Sequence, residues 1–166
     1  MIRIYLRRGI PREQHHVAGQ MLMNDVFHKP VELAYGSGGK PYSKNLTEKF
    51  SLSHSGDVVG LAVGNQELGF DLEQIRPVRL GRFVRPEESK IDPLTLFVVK
   101  ESTVKWTGEG LKALGGCRVL PAGKGRFWSE TNGEKVMVQV FDWQGYRFAL
   151  AAKIPEPYQI IAQMEE

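Results

Sequence analysis

Apolar and polar residues alternate over the opening stretch IRIYLR, residues 2–7, and this period of two predicts a strand with one buried face. A helix is expected from Pro11, a residue suited to a first helical position. Val17 and Met21 stand four apart, as do Ala18, Leu22 and Val26, so the spacing predicts an apolar face running through Phe27. GSGGKPYSKN, residues 36–45, carries glycines and a proline and reads as loop. KFSLSHS, residues 49–55, alternates Phe50, Leu52 and His54 with Ser51, Ser53 and Ser55, which predicts a half-buried strand. DVVGLAVGNQELGFDLEQI, residues 57–75, contains two strands joined at GNQE, the pattern of a hairpin.

A basic connection, RPVRLGRFVRPEES, follows. Asp92 and Pro93 then open a second helix, with a capping side chain before a proline in the first turn. It is expected to run to about Thr107 and to stop at Gly108 and Gly110. Beyond it GRFWSE, the turn TNGE, KVMVQVFDW, the turn QG and YRFALAAKI form an antiparallel meander, with Asn132-Gly133 as a type I′ turn. The stretch after Pro155 reads as a loosely held tail, 155–166. Strand, helix, strands, helix, strands in that order gives an α+β domain with antiparallel sheet.

Length and composition narrow the class. With 166 residues, 25% charged and 42% hydrophobic, the chain is long enough for one domain with a real core. It has no apolar run near the roughly 18 residues of a membrane span and no signal-peptide pattern. Cys117 is the only cysteine, which excludes an internal disulfide, reads as a small apolar residue and fits a reducing, cytoplasmic home. A net charge of +3 is too slight to announce nucleic-acid binding. Two arginine clusters, at 3, 7, 8 and 12 and at 76, 79, 82 and 85, are either solvated faces or receivers of an acidic partner or phosphates.

Three patterns carry candidate chemistry. In GFDLE, Asp71 and Glu73 share a strand face about 7 Å apart, with Gly69 leaving room beside them. Two acids so placed repel each other and resist desolvation, so they are either solvated on an exposed edge or gathered round a hard cation such as Mg²⁺. In the second helix Leu94, Phe97, Val98, Glu101 and Lys105 form one stripe. Glu101 and Lys105 are then either a surface pair one turn apart or a further metal carboxylate with a lysine for phosphate charge. His54 falls on the apolar side of its strand, as a satisfied core histidine or as a phosphate ligand, with Lys40 a short loop upstream.

GKPY, FSLSHS, GFDLE and KESTVKWTGEGL, in that order, resemble the 4′-phosphopantetheinyl transferases. The closer likeness is to the surfactin-synthetase-activating type, a single chain of two similar halves, and it runs from about Gly39 to Leu111. The resemblance implies an α+β fold of two sheet-plus-helix halves related by a pseudo-two-fold axis. Residues 1–66 would form an abbreviated first half and residues 67–154 a second half with the metal site. It implies a monomer that moves the 4′-phosphopantetheine arm of coenzyme A to a serine of an apo acyl or peptidyl carrier protein, releasing adenosine 3′,5′-bisphosphate. By the same resemblance Asp71, Glu73 and Glu101 hold Mg²⁺, Glu101 or a metal-bound water takes the serine proton, and Lys105 steadies the leaving phosphate. Lys40, Ser53 and His54 surround the nucleotide and its 3′-phosphate, and His15 stands where relatives carry an arginine that reaches coenzyme A. Ser51 replaces a family asparagine and Phe97 a family tryptophan. A homologue that binds coenzyme A or a carrier without catalysis, and an unrelated Mg²⁺-dependent nuclease, are the competing readings.

Overall fold

A computed structural model describes residues 1–161. Strand β1 (Ile2–Arg7) buries Ile2, Ile4 and Leu6 completely, as its period of two requires. A single 3₁₀ turn leads into α1 (His15–Phe27), and a small hairpin follows, β2 (Leu33–Tyr35) with β3 (Pro41–Ser43). Then come β4 (Lys49–Ser55), β5 (Val58–Gly64) and β6 (Leu68–Gln74). Two more 3₁₀ turns precede α2 (Pro93–Thr107), and a third follows it. The rest is strand: β7 (Arg118–Gly123), β8 (Arg126–Thr131), β9 (Glu134–Trp143), β10 (Tyr146–Ala152) and β11 (Tyr158–Ile161).

The strands form two main sheets, ordered β11-β1-β5-β4 and β6-β10-β9-β8-β7. Their apolar faces pack on each other: Ile2, Ile4, Leu6, Val58 and Ala62 meet Phe70, Leu72, Phe148 and Leu150 in one buried cluster. Helix α1 covers the outer face of the first sheet through Ala18, Leu22 and Met23, against Val59, Leu61 and Val63. Helix α2 covers the outer face of the second, with Leu96, Val98 and Val99 against Val119, Val136, Val138 and Ala149. The order of layers is therefore helix, sheet, sheet, helix. No described helix is long and apolar enough to cross a membrane.

Several expectations change here. GNQE does not close a hairpin. It carries the chain from the first sheet to the second, so β5 and β6 are neighbours in sequence but not in a sheet. The reason is visible in β5, which is buried along its whole length between β1 and β4 and has no free edge for β6. The tail is not loose: Tyr158–Ile161 form β11, parallel to β1, with Tyr158 stacked on Phe141. Residues 162–166 lie outside the described residues. On α1 the inward face is Ala18, Leu22 and Met23, while Val17 and Met21 stand 59% and 50% exposed. Part of the glycine-rich stretch expected as loop forms β3.

Helix α2 begins and ends where its signals predict. Asp92 accepts a hydrogen bond from the Thr95 amide, Pro93 occupies the first turn, and Gly108 adopts the left-handed conformation (φ 78°) that closes the helix. Both hairpins of the meander turn on residues with positive φ, Asn132-Gly133 and Gln144-Gly145.

Candidate active site

The site is built where α2 lies across β6. Gly69 makes that approach possible, because a Cβ there would stand 1.9 Å from the Ser102 carbonyl oxygen. Asp71 and Glu73 follow on the same face of β6, pointed at the helix. From α2, Glu101 is buried to 8% exposure, and Lys105 one turn on brings Nζ to 3.0 Å from Asp71 Oδ1. Of the expected stripe, Leu94, Val98 and Glu101 are buried while Phe97 and Lys105 are half-buried, and its polar end meets the acidic strand.

Strand β4 completes the site from the other sheet. Its serines point at the edge of β6, and each hydroxyl accepts a backbone N–H: Ser51 from Phe70, Ser53 from Leu72 and Ser55 from Gln74, all at 3.0 Å. Ser53 also donates to Asp71 Oδ1 at 3.1 Å, and Ser55 to Glu73 Oε2 at 2.9 Å. Ser53, expected beside the nucleotide, therefore has its hydroxyl engaged at the seam between the sheets.

The electrostatics follow from this crowding. Burial pushes the Glu101 carboxyl up to about 7; the Asp71 and Glu73 charges add to that, and Lys105 opposes it. Glu73 is raised as well, by burial and then by Asp71, against the hydrogen bond from Ser55 and the charges of Arg76 and Lys105. Asp71 Oδ2 is buried and has no hydrogen-bond partner. Among the described residues no group of three His, Cys, Asp or Glu side chains is placed so that it could hold a metal ion, so Asp71, Glu73 and Glu101 do not stand as a ready ligand set. An orphaned carboxylate oxygen beside two acids of raised pKa nevertheless suits a hard, oxygen-seeking cation.

His15 and His54 meet on the α1 side of β4, Nδ1 to Nδ1 at 2.9 Å. His15 Nε2 lies 3.1 Å from the Ile10 carbonyl and must donate to it. In neutral His15 Nδ1 is then an acceptor, and His54 donates its Nδ1 proton across the gap. His15 is buried while His54 is open to solvent, so His54 Nε2 is the atom available to a ligand. Burial lowers the pKa of His54 most, followed by the charges of His15, Lys105 and Arg12, with Asp71 opposing.

Lys40 anchors the glycine-rich loop. Its ammonium pairs with Glu67 and donates to the carbonyls of Leu68 and Trp106 at 3.3 Å each, tying the loop to the start of β6 and the end of α2. Gly38 sits against Gly108 so closely that a Cβ would stand 1.7 Å from the Gly108 oxygen. A cavity of about 200 Å³ lies between this loop, Ser51, Leu52, Glu101 and Lys105. It adjoins a larger one of about 520 Å³ bounded by Tyr42, Lys49, Glu67 and Trp106, the two sharing Lys40, Pro41, Phe50 and Gly108.

Sequence reasoning missed the pair that holds the middle of α2. Lys100 is 1% exposed and Glu88 0%, and their charges meet at 2.7 Å. Glu88 also accepts the Arg85 and Val119 amides, and Lys100 donates to the Phe83 carbonyl, so the connection, β7 and α2 join at one carboxylate. The available signal was Lys100 directly after Val98-Val99 in a helix whose residues 98–104 are all buried. The second arginine cluster divides: Arg85 bonds the Gly115 and Cys117 carbonyls and Arg76 pairs with Glu73, while Arg79 and Arg82 stand exposed.

No protein-family profile matches the chain. Over 69 residues it is 38% identical to the 4′-phosphopantetheinyl transferase AcpT of Escherichia coli (strain K12), covering 40% of this chain and 35% of that protein. Over 116 residues it is 31% identical to the 4′-phosphopantetheinyl transferase psf-1 of Bacillus pumilus, 56% of this chain and 49% of the relative. Over 129 residues it is 31% identical to a 4′-phosphopantetheinyl transferase of Bacillus subtilis, 63% and 58% respectively. The chain spans from about a third to under two-thirds of the curated relatives it matches.

Proposed function

We propose that the protein transfers the 4′-phosphopantetheine arm of coenzyme A to a serine of an apo carrier protein. One observation carries this reading: Glu101 and Lys105 of α2 line a cavity that runs to the glycine-rich loop, and Lys105 also pairs with Asp71 of β6. That combination suits a pyrophosphate with an attached nucleotide. The names of the similar proteins support the same reaction class.

In this reading the carrier serine oxygen attacks the phosphorus that bears the pantetheine arm. The bond from that phosphorus to the bridging oxygen breaks, and adenosine 3′,5′-bisphosphate leaves with the electron pair. Glu101 is placed to take the serine proton; its carboxyl stands at about 7 in the cation-free protein because of its burial, and a bound cation would lower it. Lys105 meets the charge that develops on the leaving phosphate. His54 meets the 3′-phosphate as its imidazolium, Nδ1–H donating to His15 and Nε2–H to the phosphate. Lys40 acts by fixing the loop that walls the nucleotide cavity. Asp71, Glu73 and Glu101 are the residues that would hold Mg²⁺, which supplies charge neutralisation at the pyrophosphate oxygens. Exposed Arg79 and Arg82 offer a docking surface to an acidic carrier.

Incubating the protein with coenzyme A, Mg²⁺ and a panel of apo carriers tests the proposal. The expected result is a carrier heavier by one phosphopantetheine arm, lost with Asp71→Ala at unchanged fold. Coenzyme A binding without transfer to any carrier would instead favour a non-catalytic binding module.

A further inference from the structure

The seam between the two sheets does more than join them. Three serines of β4, two residues apart, meet three alternate positions of β6, Phe70, Leu72 and Gln74, and each hydroxyl accepts a backbone amide. A hydroxyl that accepts one hydrogen bond still has its own proton to place. At Ser53 that proton goes to Asp71 Oδ1, and at Ser55 to Glu73 Oε2. At Ser51 the corresponding β6 position is Gly69, which has no carboxylate. The same backbone contact thus occurs three times, and only twice does it also grip an acid.

The grip has a direction. Asp71 Oδ1 receives Ser53 and Lys105, while Oδ2 is buried and receives nothing. Glu73 Oε2 receives Ser55 and Arg76, and among the described residues Oε1 accepts no hydrogen bond. In both acids one oxygen is saturated and the other is presented. Carboxylates that bind a cation need this kind of outer support, since a freely rotating carboxylate loses entropy when it is fixed.

We propose that Ser53 and Ser55 are positioning residues that set the carboxylates of Asp71 and Glu73 for a divalent cation, whereas Ser51 makes the same seam bond without gripping an acid. The inference rests on the cation reading given above. Ser51 supplies an internal control, because Ser51→Ala removes the same kind of seam bond without touching an acid.

Calorimetric titration of the full chain with Mn²⁺, together with thermal unfolding of the metal-free protein, tests it. Ser55→Ala is expected to weaken Mn²⁺ binding about 10-fold, within the range that outer-shell partners of metal ligands show. Ser55→Thr, which keeps the hydroxyl, restores it. Ser51→Ala is expected to lower the unfolding temperature at least as much and to leave Mn²⁺ affinity within about 2-fold, below that range. Ser53→Ala should behave like Ser55→Ala; if it fails to fold, the half-buried Ser55 decides alone. Equal loss of affinity in Ser51→Ala and Ser55→Ala, or none in Ser55→Ala, overturns the proposal. Failure of the unaltered protein to take up Mn²⁺ would instead remove the cation reading itself, and this inference with it.

Discussion

Lys105 Nζ stands 3.0 Å from Asp71 Oδ1, so a lysine side chain 28% exposed neutralises a carboxylate 3% exposed. The pair bridges α2 and β6, and it places positive charge at the point where two acids of one strand face a third from the helix. Removing the lysine strands a buried charge. Lys105→Met is expected to lower stability by about 2 kcal/mol, less than the 3–5 of a fully buried pair because Lys105 stays partly wet. Asp71→Asn combined with Lys105→Met should recover most of that loss in urea denaturation. Losses that simply add would mean that the two side chains act independently.

The deeper ion pair, Glu88 with Lys100, gives a stronger version of the same test. Neither residue touches the candidate cavity, but both anchor the helix that carries Glu101. Lys100→Met alone is expected to cost about 3–5 kcal/mol, since Glu88 keeps its charge with no water to receive it. Lys100→Met with Glu88→Gln should be much less destabilising than either change alone, as chemical unfolding would show.

Glu101 predicts how stability varies with pH. Its folded-state pKa, about 7, lies above the ordinary 4.5 because burial dominates, with Asp71 and Glu73 adding and Lys105 opposing. The folded protein therefore holds this proton more tightly than the unfolded chain. The contribution is intact below about pH 4.5 and is lost as pH rises through about 7. Relative to Glu101→Gln, the unaltered protein should lose on the order of 3 kcal/mol across that window in the absence of divalent cations. Parallel stability curves for the two proteins would show that Glu101 titrates normally.

Gly69 is the point at which backbone meets backbone. Gly69→Ala places a methyl 1.9 Å from the Ser102 carbonyl oxygen, so α2 must move away from β6. We expect a loss of about 3 kcal/mol or more, at the upper end of overpacking effects, together with loss of the Lys105–Asp71 contact. An alanine variant with native stability would show that the helix can shift freely on the strand.

Much of the molecule was legible in the sequence where the signal is local. Asp92, Pro93 and Gly108 bound α2 because capping and the left-handed closing turn depend on a few adjacent residues. Of the stripe from Leu94 to Lys105, Leu94, Val98 and Glu101 turned inward as the spacing predicted, and Phe97 and Lys105 only half so. Local patterning identified β4, β5 and β6 as strands but not their partners, because a strand pattern looks the same within one sheet or across two. Burial of β5 on both sides, the fact that separates it from β6, depends on β1 more than fifty residues earlier. Strand β11 was missed for a similar reason: its pairing partner is at the other end of the chain. The serine seam and the Glu88–Lys100 pair were missed because each joins residues by chemistry that no sequence spacing specifies.

The central claim is that Asp71, Glu73 and Glu101 gather round one cation at the pyrophosphate of coenzyme A. A crystal of the protein with coenzyme A and Mn²⁺, its anomalous signal mapped, tests this most directly. The account predicts a single peak within coordination distance of Asp71 Oδ2, both glutamates and the pyrophosphate. A peak away from these acids, or coenzyme A seated with Glu101 turned from it, would contradict the account.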